Sequence, residues 1–193
     1  MNTVGPNELK QLPFLAGALF DAPAIPFSDD VLRAHENTHI LVFTPRVPTF
    51  TLVGLRDIFG MDPSQHEPCT YNQDWYLKED FANTPPDGKW HLVRKEVIEN
   101  MRAKRPEEIE AALSDEQFPS AITCAFTFFA WYHLKGEVLW KHDFLWCSDR
   151  DHNGDRIYVG RYEDPAGINK NGFNIHRHLA LRPAYSAAPE IRS

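Results

Sequence analysis

The chain has 193 residues, 42% of them hydrophobic and 12% aromatic, with a formal net charge of −7. That length suits one domain with a core large enough to stand without covalent staples. The acidic balance argues against nucleic acid as a partner, because such binding runs on neutralised phosphates, and three cysteines without a CxxC spacing give neither a disulfide framework nor a zinc knuckle.

The N-terminus lacks a basic region ahead of its short apolar patch, so no signal peptide is read and a cytoplasmic protein is expected. Ser28 followed by Asp29 and Asp30 in "FSDDVLRAHEN" has the chemistry of a helix start, a capping hydroxyl with acids in the first turn. "THILVFTP" is a continuous apolar run stopped by Pro45, which reads as a buried strand. In "TFTLVGLRDIFGMDP" the apolar residues Leu52, Leu55, Ile58 and Phe59 fall at helical spacing, with Gly60 and Pro63 as stop signals. "YNQDWYLKEDFAN" sets Trp75, Leu77 and Phe81 near one helical face. Pro85, Pro86 and Gly88 then mark a turn. They divide the chain into a mixed N-terminal extension, 1–87, packed on a main domain, 88–193.

The second part opens with "KWHLVRKEV", a strand with Trp90 and Leu92 on one face and His91 and Val93 on the other. "RPEEIEAALSDEQ" starts a helix, with Pro106 at its first position and Glu107 and Glu108 in its first turn. Residues 119–135 are apolar nearly all round, between a Pro start and Gly136. Such a segment is a membrane span or a central core helix. Its length is at the lower limit for a span, so a core helix and no membrane span are expected. "DFLWCSD" and "RIYVGRY" read as short strands, and "HRHLALRPAY" as a third, with His178, Ala180 and Arg182 alternating against Leu179, Leu181 and Pro183. The order is strand, helix, helix, strands, an α+β arrangement.

Asp149-Arg150-Asp151-His152-Asn153-Gly154-Asp155 matches the opening of a calcium loop at positions 1, 3, 5, 6 and 7. Position 12 is Gly160, where that loop needs a bidentate carboxylate, and the flanks read as strands. Asn-Gly is also the signature of a two-residue hairpin turn, which is the expected reading. His176 and His178 would share one face of a strand, and with Asp149 and Asp151 they form the candidate cluster of a metal-dependent hydrolase or nuclease. The chain has no P-loop, no dinucleotide fingerprint and no G-x-S-x-G elbow, so no cofactor is expected.

The strand with Trp90, the two helices, the "LWCSD" element, the V-G strand "RIYVGRY" and the closing "LALRP" together resemble a C-type-lectin-like fold. More narrowly, they resemble small bacterial proteins similar to the variable proteins of diversity-generating retroelements. The resemblance covers about residues 88 to 186. It implies a ligand- or protein-binding module displaying a polar loop surface. Here that surface would be Arg150, His152, Arg156, Asn169, Asn171, Asn174, His176 and Arg177, with an unidentified protein or small ligand as partner. No E-P-N or Q-P-D triplet accompanies it, so calcium-dependent sugar binding is not implied. Formylglycine-generating enzymes share the architecture and use a cysteine pair, which makes Cys124 and Cys147 the residues of an enzymatic alternative.

Overall fold

The computed structural model of the chain describes residues 1–18, 20–62, 69–70, 73–162, 172–177 and 181–193. The helices are α1 (Pro6–Leu9), α2 (Asp29–Ala34), α3 (Leu55–Phe59), α4 (Asp80–Asn83), α5 (Pro106–Ala112) and α6 (Ala121–Lys135). The strands are β1 (Asn2–Val4), β2 (His39–Thr44), β3 (Lys89–Arg94), β4 (Glu116–Gln117), β5 (Phe144–Arg150), β6 (Arg156–Tyr162), β7 (Gly172–His176), β8 (Tyr185–Ser186) and β9 (Glu190–Ile191). They make two mixed sheets, one in the order β1-β2-β3-β9-β4 and the other β7-β6-β5-β8. The molecule is α+β, and among the described residues no helix is long and apolar enough to cross a membrane.

The apolar segment becomes α6 because both ends carry strong local signals. The Ser120 hydroxyl accepts a hydrogen bond from the Thr123 amide, and Gly136 takes the left-handed conformation that ends the helix. Residues 121–131 are buried on every side, since α6 packs against β2 of the first sheet and β5 and β6 of the second. Phe126, Phe128 and Phe129 are fully enclosed, and Phe129 stacks on Phe59 at 4.0 Å between ring centroids. A helix apolar all round is thus a core helix between two sheets.

The first sheet crosses the sequence boundary at residue 87. β2 and β3 pair antiparallel over six residues, from His39↔Arg94 to Thr44↔Lys89. Both strands feed one core with α6, so residues from either side of that boundary share buried surface. β9 then lies between β3 and β4, held by the single β3 pair Val93↔Glu190 and by Glu116↔Ile191 and Gln117↔Glu190 on β4.

In the second sheet β5 and β6 form the expected hairpin, but not through a two-residue turn. Arg150 pairs with Arg156, leaving five residues in the loop, and Gly154 alone among 151–155 has positive φ (85°). A type I′ turn needs positive φ at both central residues. Instead the Asp151 carboxylate accepts the Asn153 and Asp155 amides at 2.9 and 2.8 Å and organises the loop itself. Gly160 of the V-G strand faces the backbone of the neighbouring strand so closely that a Cβ would fall 2.1 Å from the Asp143 carbonyl oxygen.

The third strand lies earlier than its sequence suggests. β7 is Gly172–His176, inside the stretch read as a polar loop, and it pairs with β6 from Tyr158↔His176 to Tyr162↔Gly172. Phe173 and Ile175 turn into the core, so two apolar residues at period two outweigh the polar setting. Residues 178–180 of the expected strand lie outside the described residues, and Leu181 in it is exposed.

Candidate functional site

A cleft of about 530 Å³ opens where β3, β9 and β4 of the first sheet meet the N-terminal end of α6 and the end of β5. Apolar side chains wall part of it: Phe81, Trp90, Phe118 and Ile122. The remainder is polar, with Asp87, His91 and Glu190 from the sheet, and Ser120, Thr123, Ser148 and Asp149 around the helix end.

His91 is clamped on both ring nitrogens. Nδ1 lies 2.6 Å from Glu190 Oε2 and Nε2 lies 3.0 Å from Asp87 Oδ1. Burial alone would push the imidazole toward neutrality, but the two carboxylates outweigh it and hold His91 up at about 9. As an imidazolium it donates to both. Burial likewise opposes the charge on Asp87, yet the His91 bond, the Thr44 hydroxyl and the Lys89 amide hold it down at about 2. Glu190 Oε1 accepts from the Gln117 amide at 2.9 Å, which links β3, β9 and β4 through side chains where their backbone pairing is short.

Asp149 sits differently. Its carboxylate accepts a hydrogen bond from the Ala121 amide in the first turn of α6, where the helix dipole favours negative charge. Burial nevertheless pushes its carboxyl above the usual range, against that amide and the more distant charge of Arg156. Ser148 beside it is exposed to the cleft, and the Ser120 and Thr123 hydroxyls lie 2.8 Å apart.

The residues singled out in the sequence fall into separate environments. Arg150 and His152 are exposed on the β5–β6 loop, where Arg150 donates to the Gly154 carbonyl at 2.8 Å. His152 Nδ1 lies 2.6 Å from Glu79 Oε1, and Arg177 donates to Asp151 at 2.6 Å while its guanidinium lies over the Trp75 ring. Arg156 is not on an exposed face. It is 5% exposed, donating to the Cys147 carbonyl and to Glu110, and it braces Phe118 from behind the cleft wall. Asn174 is buried as well, its amide donating to the Gly172 carbonyl at 2.6 Å. Both turn inward because the strand alternation that buries Ile157 and Phe173 also carries polar neighbours into a sheet covered on both faces. Asn169, Asn171 and His178 lie outside the described residues.

Asp149, Asp151 and His176 are not gathered. Asp149 turns to the end of α6, Asp151 to Arg177, and His176 stacks on Tyr158 at 5.4 Å. Among the described residues the group with metal-ligand proximity is Glu79, Asp151 and His152. Arg177 already supplies a cation there, with Nη1 4.0 Å from Glu79 and 2.6 Å from Asp151. Cys124 and Cys147 do lie against each other, yet both thiols are fully buried and neither lines the cleft. Burial pushes the Cys147 thiol well up, with Cys124 adding to the shift, opposite to what a nucleophile needs.

Sequence reasoning missed the cleft. Asp87 and His91 stand together in "DGKWH", and an imidazole sharing a strand face with buried Val93 is a local hint. Glu190 lies 99 residues from His91, and no local pattern joins them. Comparison with family models, curated proteins and solved structures finds no match for this chain.

Proposed function

We propose that this protein is a ligand-binding module, and that its ligand sits in the cleft at the N-terminal end of α6 rather than on the β5–β6 loop. The observation that carries the reading is a 530 Å³ cleft in which apolar walls meet a few convergent polar side chains, the usual composition of a small-molecule site. One of them, Asp149, has its carboxyl shifted upward by burial, and perturbed acids in clefts concentrate at functional sites. The lectin-like resemblance supports binding over catalysis. In keeping with it, the second half opens on a strand and, after two helices separated by the short β4, continues as further strands. Catalysis through the cysteine pair is disfavoured by the burial of both thiols.

The test is a fragment screen on the full chain by ligand-observed NMR. Ser148→Trp places a large ring in the cleft from an exposed position and should abolish binding of the hits while leaving the melting temperature nearly unchanged. The double substitution Arg150→Ala and His152→Ala should leave binding intact. Hits that survive Ser148→Trp but are lost in the loop double variant would move the site to the loop and sink the cleft reading.

A further inference from the structure

Resting on the reading of the cleft as a ligand site, we propose that the ligand class is a small amine: a protonated amino group set against Asp149, with an apolar body along Phe81, Trp90 and Phe118. The argument starts from which acids in the cleft already have partners. Asp87 and Glu190 share His91, and Glu190 also accepts from Gln117. Glu110 accepts from Arg156 at 2.7 Å. Asp149 accepts a backbone amide, and among the described residues no cationic side chain reaches it at ion-pair distance. Its nearest electrostatic partner, Arg156, is committed to Glu110 and the Cys147 carbonyl.

A carboxylate drawn out of water without a cation is unfavourable, and a bound ammonium group would relieve that cost. An anionic ligand is poorly served at the same spot. The Ala121 amide in the first turn of α6 is already taken by Asp149, whose own charge repels an anion there. The hydroxyls of Ser120 and Ser148 line the same end of the cleft and can accept the remaining ammonium protons. The aromatic walls suit an apolar body, and the faces of Trp90 and Phe118 add attraction for a cation passing them.

Calorimetry on the full chain with three probes of one shape tests this: phenethylamine, 2-phenylethanol and 3-phenylpropionate. Phenethylamine should bind about tenfold or more tighter than either of the others. Asp149→Asn keeps an oxygen for the Ala121 amide and removes the charge, so it should erase the preference for the amine while the protein melts normally. A second measurement needs no variant. Amine affinity should fall on acidification as Asp149 protonates, at a pH above the usual carboxylate range, while affinity for the alcohol stays flat. The other charged groups around the cleft are Lys89 on β3, Glu110 on α5, Arg156 on β6, Glu190 on β9 and Arg192 after it. His91, held up at about 9, stays protonated and Asp87, held down at about 2, stays ionised. Equal or tighter binding of 3-phenylpropionate overturns the inference, as does amine binding that ignores both Asp149→Asn and pH. If the alcohol or the acid binds and Ser148→Trp blocks it, the cleft remains a ligand site and only the amine assignment falls. If none of the three binds, the amine assignment also falls, and the fragment screen decides the fate of the cleft.

Discussion

Two histidines in this molecule meet opposite fates, and the contrast shows what burial alone does not decide. His91 and His176 both sit on strands with most of their surface covered. His91 is held up at about 9, His176 down at about 4. At His176 burial acts first and the nearby Arg182 charge adds to it, while its ring neighbours are Tyr158 and Phe144. At His91 burial pushes the same way, but two carboxylates within hydrogen-bond reach reverse the outcome. The first sheet is closed at its seam by charge. The second is closed on its outer face by a cluster of Phe144, Trp146, Tyr158 and Tyr185.

The aromatic side of the comparison carries the largest expected effect. Trp146 is fully buried with its ring 5.1 Å from Tyr158, so Trp146→Ala should destabilise by roughly 3–5 kcal/mol in chemical denaturation. A cost under about 1 kcal/mol would mean that the cluster is not packed as described.

The ionic side should appear as pH dependence. His91 has its folded value above the unfolded one of about 6.5. Its stabilisation is therefore fully present below that pH and is lost as pH rises through about 9. The full swing is on the order of 3 kcal/mol, and His91→Gln should flatten this alkaline limb. Asp87 works at the other extreme: its stabilisation is present above the usual carboxylate value and lost as pH falls through about 2. An NMR titration that finds His91 protonating near its unperturbed value would break the clamp.

His176 runs the opposite way to His91. Its folded value lies below the unfolded one, so its contribution is present above about pH 6.5 and is lost as pH falls from there toward about 4. His176→Phe keeps a ring against Tyr158 and removes the proton. It should raise stability near pH 5 by about 2 kcal/mol relative to the parent and leave stability at pH 8 little changed. Equal effects at both pH values would show that the residue acts through packing alone. The smallest effect belongs to the loop. His152 is 65% exposed, so His152→Ala should change stability by no more than about 0.5 kcal/mol despite its bond to Glu79.

The elements legible in the sequence are those whose signals are local. Ser28 and Ser120 cap the helices they precede, Pro106 opens α5, and Gly136 closes α6. "THILVF" and "KWHLVR" became paired central strands because their apolar runs leave little else possible. β7 was not legible, since a short strand carrying Asn174 and His176 inside a polar stretch looks like loop until its partner β6 is known. The two-residue turn failed for a related reason: Asn153-Gly154 is a strong local signal, but the Asp151 carboxylate closes a longer loop first. The cleft was the least legible of all. It is assembled from α4, β3, α5, β4, α6, β5 and β9, and its chemistry depends on which acids find partners across those distances.

The insertion of β9 between β3 and β4 has a consequence for synthesis on the ribosome. A nascent chain that has emerged through β8 holds β1, β2 and β3 in order, but β4 still has no neighbour, because its pairing partner is β9. The groove that β9 will fill is exposed during that interval, alongside the apolar helix that the sheet is meant to cover. Such a gap is a hazard for intermolecular pairing. Threading one short strand into a waiting slot is also a late, long-range event, of the kind that slows folding.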